Sequence, residues 1–351
     1  MMSQERSLTQ IEAIREALYQ EMERDDRVLV VGLGVDDPKA ILGSTRGLAE
    51  RFGPDRVMDT PLSEDCMTGA CIGMAMAGLR PVHTHIRVDF LMLAMNQIVN
   101  VAAKSMHMSG GQQPVPLVVR AIIGRSWGQG AQHSQALQSM FMHVPGLKVV
   151  APATPLDAKG ALAYAIRDDN PVIFIEHRML HGFRSVVPTG EVLRGPGRCR
   201  VLRTGGDLTL VGISYMVPEC LRAAEWLSTV GIECEVLDPV WLSPLDTNGI
   251  NDSVAKTGRL LVADNAWLQC GASAEIVAAA CEALGSTRPL TVGRVGFAAT
   301  PCPTSPPLEA AFYPSATSIA REAFRLVTGA PPEQDWDLEM PPEIREFRGP
   351  F

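Results

Sequence analysis

The chain has 351 residues, 46% hydrophobic and 20% charged, which excludes a disordered chain, a collagen-like fibre and a small disulfide scaffold. With 31 Lys and Arg against 39 Asp and Glu, its net charge is -8 and no long basic run occurs, so nucleic acid is not expected as its principal ligand. Eight scattered cysteines without a CxxC pair, a polar N-terminus and no run of about 18 apolar residues predict a cytoplasmic protein with reduced thiols, no signal peptide and no membrane span.

In chain order, Ser7 followed by Gln10 predicts a capping box, opening a helix with the apolar stripe Ile11, Ile14, Leu18 and Met22. The run VLVVG (28–32) predicts a buried strand. A loop with Asp36, Asp37 and Pro38, a helix over 45–52 and a short strand over 56–58 follow. Further helices are expected over 67–79, 90–106 and 158–166, with strands over 81–86, 117–123, 147–150 and 172–176. Short apolar strands alternating with helical patterns predict an α/β domain whose parallel sheet is covered on both faces. Residues 184–205, rich in Pro, Gly and Arg, read as a linker. A second α/β pattern then runs over 206–328, with strands at 208–213, 233–237, 260–263 and 290–295 and helices at 218–229, 272–284 and 316–327. The acidic, Pro-rich tail 329–351 is expected to wrap a surface or a partner.

Some motifs can be set aside. In VLVVGLGVDD (28–37), the place of a dinucleotide fingerprint's third glycine is taken by Asp37, so Gly32 and Gly34 read as a strand-to-loop turn. Neither GxxxxGKS/T nor GxSxG occurs, which removes a P-loop and the usual α/β-hydrolase. His83 and His85 share one face of a strand but lack a third ligand, so they read as structural or substrate-contacting residues rather than as a zinc or copper site.

Two places carry more. Glu64 follows a Pro turn at the carboxyl end of a strand, where α/β proteins hold ligands. It reads equally as a proton-exchanging carboxylate beside Leu62 and Met67 or as a first-turn carboxylate stabilised by the helix dipole. The loop GRSWGQGAQHS (124–134) follows a buried strand, is rich in glycine and ends near His133. A catalytic histidine and a histidine capping the next helix both fit that position.

Taken together, DTPLSE (59–64), GLRPV (78–82), DF (89–90), MSGGQ (108–112), GQGAQHSQ (128–135), HVPGLKVV (143–150), DAKG (157–160) and RDDNPV (167–172) resemble one family. It is the beta subunit of the thiamine-diphosphate-dependent decarboxylating component of 2-oxo acid dehydrogenases, such as the pyruvate and branched-chain enzymes. The resemblance is nearly continuous over 10–180 and weaker to about 328. It implies a pyrimidine-binding domain of transketolase type over 1–183 and a transketolase C-terminal-type domain over 206–328.

The resemblance also implies residue roles. Glu64 falls on the glutamate that hydrogen-bonds the cofactor's aminopyrimidine ring, Phe90 on the aromatic that packs against it, and Leu62 and Ile86 on other pocket positions. His133 falls on the histidine that helps acyl transfer to a lipoyl group. Leu117, Ala165, Asp168 and Asn170 fall around a monovalent-cation site, such as one for K+, although RDDNPV is equally accounted for as a helix C-terminal turn. The Gly-Asp-Gly…Asn motif for pyrophosphate and Mg2+ is absent and is supplied by family alpha subunits. A tetramer of two alpha and two beta subunits is therefore implied, inert without alpha and acting on a 2-oxo acid.

The chain departs from the family pattern at His107, at His83-Thr-His85-Ile86-Arg87, at Ile122 to Trp127 and at GFAATPCPTSPPLE (296–309). These positions surround the expected acyl pocket and partner surface, which makes His83, His85 and His107 candidate substrate-pocket residues. Two acceptors follow: the lipoyl group of an acyltransferase, or an aldehyde or carrier protein in an acyloin-forming or two-carbon-loading transferase. A degenerate scaffolding subunit would have lost Glu64 or the His133 loop, and both are present.

Overall fold

The computed structural model describes residues 6–37, 39–124 and 128–338. Pro38, the bulky Arg125 to Trp127 and the tail beyond 338 lie outside the described residues. The chain divides into two compact units. The first comprises the described residues to Ile123 together with Met140–Gly195; the second comprises Gly124–Ser139 and the described residues from Pro196 onward.

The strands of the earlier part are β1 (Arg6–Thr9), β2 (Val28–Gly32), β3 (Val57–Met58), β4 (Arg80–His85), β5 (Val118–Ile123), β6 (Lys148–Val150), β7 (Val172–His177) and β8 (Arg184–Val187). Six of them form a parallel array in the order β6-β7-β5-β4-β2-β3. Every residue of β2, β5 and β7 is buried, as apolar strands covered on both faces require. One charged pair lies inside this array. Arg120 on β5 donates from Nε and Nη2 to the Glu176 carboxylate on β7 at 2.6 and 3.0 Å, and from Nη2 to Ser44 Oγ at 3.0 Å. Burial by itself would raise the Glu176 pKa, but the guanidinium overrides it and holds the carboxyl at about 2.

The later part contains β9 (Arg200–Arg203), β10 (Leu208–Gly212), β11 (Cys234–Asp238), β12 (Trp241–Ser243), β13 (Arg259–Trp267) and β14 (Thr291–Phe297). Its sheet has the order β14-β13-β10-β11-β9, parallel except for the antiparallel edge strand β9. The helices Met216–Ser228 and Ala316–Thr328 pack together. Against them lies the start of the tail: the Trp336 ring packs against Trp226, tilted by 49° with centroids 3.8 Å apart, and meets Phe324 at 5.0 Å. Leu338 N–H donates to Thr317 Oγ1 at 3.0 Å.

Three local expectations change. The first helix is capped by Thr9, whose side chain accepts from Glu12 N–H while the Glu12 side chain accepts from Thr9 N–H. Ser7 belongs to β1, which is held by pairing with β8. The helix expected over 90–106 runs without a gap from Val88 to Met108, but its hydrogen bonding tightens to a 3-10 turn at Met92–Ala94 and widens to a π segment at Gln97–Ala102. The segment 184–205 contains β8 and β9, whose partners β1 and β11 are distant in sequence and leave no local periodicity.

Candidate active site

Within the first unit, the implied cofactor residues lie at or just beyond the carboxyl ends of β3 and β4, the two strands that flank β2. After β3, Asp59 Oδ1 accepts from Gly34 N–H at 2.6 Å and ties the loop after β2 to this edge. Glu64 opens the helix Glu64–Met76, half-buried, and the preceding Ser63 makes no side-chain cap bond. The first-turn N–H groups of this helix thus favour negative charge. Leu62 is 78% exposed, Ile86, directly after β4, is 45% exposed, and Phe90 is 38% exposed. A half-buried carboxylate and exposed large apolar side chains that follow the carboxyl ends of strands in one sheet suit the binding of a flat, polar heteroaromatic ring.

His83 and His85 lie inside β4, 3% and 5% exposed, with ring centroids 4.3 Å apart in an edge-to-face arrangement. His83 Nδ1 lies 3.2 Å from the Val31 carbonyl oxygen, so it carries the donated proton. Burial lowers the His83 pKa to about 4, and burial together with the neighbouring His83 lowers that of His85 well below its ordinary value. Both rings are therefore neutral at neutral pH, and neither Nε2 has a hydrogen-bond partner among the described residues. His107 stands elsewhere, in the exposed last turn of Ala103–Met108. The structure thus brings two of the three histidines into contact and leaves the third at a helix end.

Leu117, Ala165, Asp168 and Asn170 meet at the turn before β7, already supplied with donors. The Leu117 carbonyl accepts from Val172 N–H, the Ala165 carbonyl from Asp168 N–H, and the Asp168 carbonyl from Arg80 Nη1 at 3.2 Å. The Asp168 carboxylate pairs with Lys148 and accepts from Asn170. Burial works against this carboxylate, yet these partners hold its pKa below the ordinary value. Arg80 and Lys148 bring positive charge to this turn, while the carbonyl oxygens of Leu117, Ala165 and Asp168 each keep a lone pair beyond the bonds named. Among the described residues no group of three or more His, Cys, Asp and Glu is arranged to hold a metal ion.

His133 is half-buried and belongs to the second unit. Gly128 and Gly130 both have φ of 71°, and a β-carbon on either would stand 2.6 Å from Thr304. Two residues singled out by no sequence motif belong to the same unit. Gln138 Nε2 donates to Asp264 Oδ1 at 2.9 Å, with both side chains buried. Burial raises the Asp264 pKa to about 7. The sequence signal was slight: Asp264 directly follows the apolar run LLVA (260–263) and lies inside β13, which continues to Trp267.

Comparison with known proteins settles the family. The family model described as transketolase, pyrimidine binding domain, matches residues 6–182, and that described as transketolase, C-terminal domain, matches 197–319. The chain is 42% identical over 327 residues to the acetoin:2,6-dichlorophenolindophenol oxidoreductase subunit beta of Cupriavidus necator, covering 90% of this chain and 96% of that one. It is 44% identical over 269 residues to the pyruvate dehydrogenase E1 component subunit beta of Rickettsia felis, covering 77% and 82% respectively. The chain belongs to the beta-subunit family of thiamine-diphosphate-dependent 2-oxo acid dehydrogenases.

A solved split-gene transketolase, described as an inactive beta4 tetramer, shares the fold with a TM-score of 0.76 at 22% identity, over 92% of this chain and 99% of that one. Beta-subunit relatives include bacterial and mitochondrial proteins, and among the described residues no helix is long and apolar enough to cross a membrane. For a beta subunit, the half-buried carboxyl of Glu64 and the exposed Leu62, Ile86 and Phe90 fit the aminopyrimidine end of thiamine diphosphate.

Proposed function

We propose that this beta subunit, paired with an alpha subunit in a tetramer of two of each, carries out oxidative decarboxylation of a 2-oxo acid and passes the acyl group to a lipoyl acyltransferase. The observation that carries this reading is a half-buried Glu64 at a helix start without a side-chain cap, with exposed Leu62, Ile86 and Phe90 likewise following the carboxyl ends of β3 and β4. Thiamine diphosphate, when bound, supplies the electron sink for the carbanion left as carbon dioxide departs. Glu64 hydrogen-bonds the aminopyrimidine and holds its proton balance, while Leu62, Ile86 and Phe90 orient the ring and exclude water. His133 moves a proton during acyl transfer. The alpha subunit supplies the pyrophosphate and Mg2+ site, since no Gly-Asp-Gly occurs in this sequence.

A second reading keeps the cofactor and takes an acyloin as substrate or product. The 96% coverage of the acetoin oxidoreductase subunit beta at 42% identity favours it. Co-expression with an alpha subunit, followed by carbon dioxide release from a panel of 2-oxo acids and by dye reduction with acetoin, separates the two. Glu64→Gln should leave the complex assembled and lower turnover at least about a hundredfold. Undiminished turnover in that variant removes Glu64 from the chemistry. Dye reduction with acetoin, without decarboxylation of any 2-oxo acid, establishes the second reading in place of the first.

A further inference from the structure

The second unit holds residues 128–138 at three points. Gly128 and Gly130 close onto Thr304 so tightly that no β-carbon fits at either. The Tyr313 hydroxyl lies against Ser134 and 3.4 Å from Cys302 Sγ. Gln138 is tied to Asp264 at 2.9 Å. His133 stands between the first and last of these points and next to the second. Thr304 and Cys302 both belong to 296–309, where this chain departs from the family pattern.

We infer that Asp264 is a positioning residue, which through Gln138 and together with the Thr304–Tyr313 platform fixes the loop that carries His133. The inference rests on the proposed role of His133 in acyl transfer. A fully buried carboxylate whose one side-chain partner is an amide is an unfavourable thing for a core to keep. Its raised pKa, about 7, reflects that burial. Such a group is understandable where placement of the donor matters more than stability, because a displacement of about 1 Å at a reacting group lowers rates by about a hundredfold. Asp264 also accepts from the Ser273 N–H at the start of Ala272–Leu284, so a purely structural role in that helix is the competing account.

The test uses the alpha–beta complex with two assays: dye-linked decarboxylation of the 2-oxo acid, and acyl transfer to a lipoyl domain. Asp264→Ala should lower acyl transfer tenfold or more and dye-linked decarboxylation less than twofold. Asp264→Asn, which keeps an acceptor for Gln138, should restore transfer to within about threefold of the parent. In a His133→Ala background, Asp264→Ala should add less than twofold, since the two changes act through one group. Amide hydrogen exchange over 128–136 should rise in Asp264→Ala and not in Asp264→Asn. Equal losses in both assays, equal losses in both backgrounds, or unchanged exchange would each overturn the inference. Normal transfer in His133→Ala would instead remove the proposed role of His133, and with it the inference's catalytic claim; the exchange measurement still decides whether Asp264 holds the loop. If His133→Ala fails and Asp264→Ala does not, only the positioning role falls.

Discussion

Burial acts on the ionisable residues of this subunit in opposite directions. His83 is held neutral, its pKa lowered from 6.5 to about 4 by burial. Its contribution to stability is therefore fully present above pH 6.5 and is lost as pH falls towards 4. Glu176, held at about 2 by Arg120 against the effect of burial, acts in the same sense at lower pH. Asp264 runs the other way: with its pKa raised to about 7, it weakens the fold as pH rises from about 4 to 7. Urea denaturation at pH 7 and pH 5 should show the His83→Gln variant losing about 2 kcal/mol less than the parent between the two. Equal losses would mean that His83 is protonated, and hence solvated, in the native protein.

The turns offer a matched pair at the level of elements. Gly78 and Gly146 both have φ of 98°, but a β-carbon on Gly146 would lie 2.0 Å from the Ala103 carbonyl oxygen, whereas nothing lies within 4 Å at Gly78. Gly78→Ala should cost about 1 kcal/mol of backbone strain, and Gly146→Ala at least about 2 kcal/mol more because the helix backbone at Ala103 must move. Equal urea midpoints for the two variants would show that the Ala103 carbonyl yields freely. The elements that periodicity foretold are those whose burial is complete and local: β2, β5, β7 and the helices that cover them. What it did not show depends on distant partners, as with β8, β9 and the Asp264–Gln138 bond across 126 positions. Glu64 and His133 stood out because a turn and a glycine-rich loop surround them. The burial of His83 and His85 did not, since a histidine on a strand reads the same whether its face is wet or dry.

For the whole molecule, the proposed half-site has a direct consequence: the isolated subunit should release no carbon dioxide from any 2-oxo acid at any thiamine diphosphate concentration. The start of the tail is bound to the second unit's own helices through Trp336, Asp335 and Leu338. The division into units adds a consequence for heredity. Chain order and body order differ, because 124–139 is counted with the later unit while the residues on both sides of it belong to the earlier one. A chimera with a homologous beta subunit, spliced once at 195/196, would thus combine one parent's His133 loop with the other parent's Asp264, Thr304 and Tyr313. Such a chimera should assemble but transfer acyl groups poorly, and exchanging 124–139 together with the later segment should repair it. In this subunit the stretch of gene that recombination must carry as a whole is not contiguous.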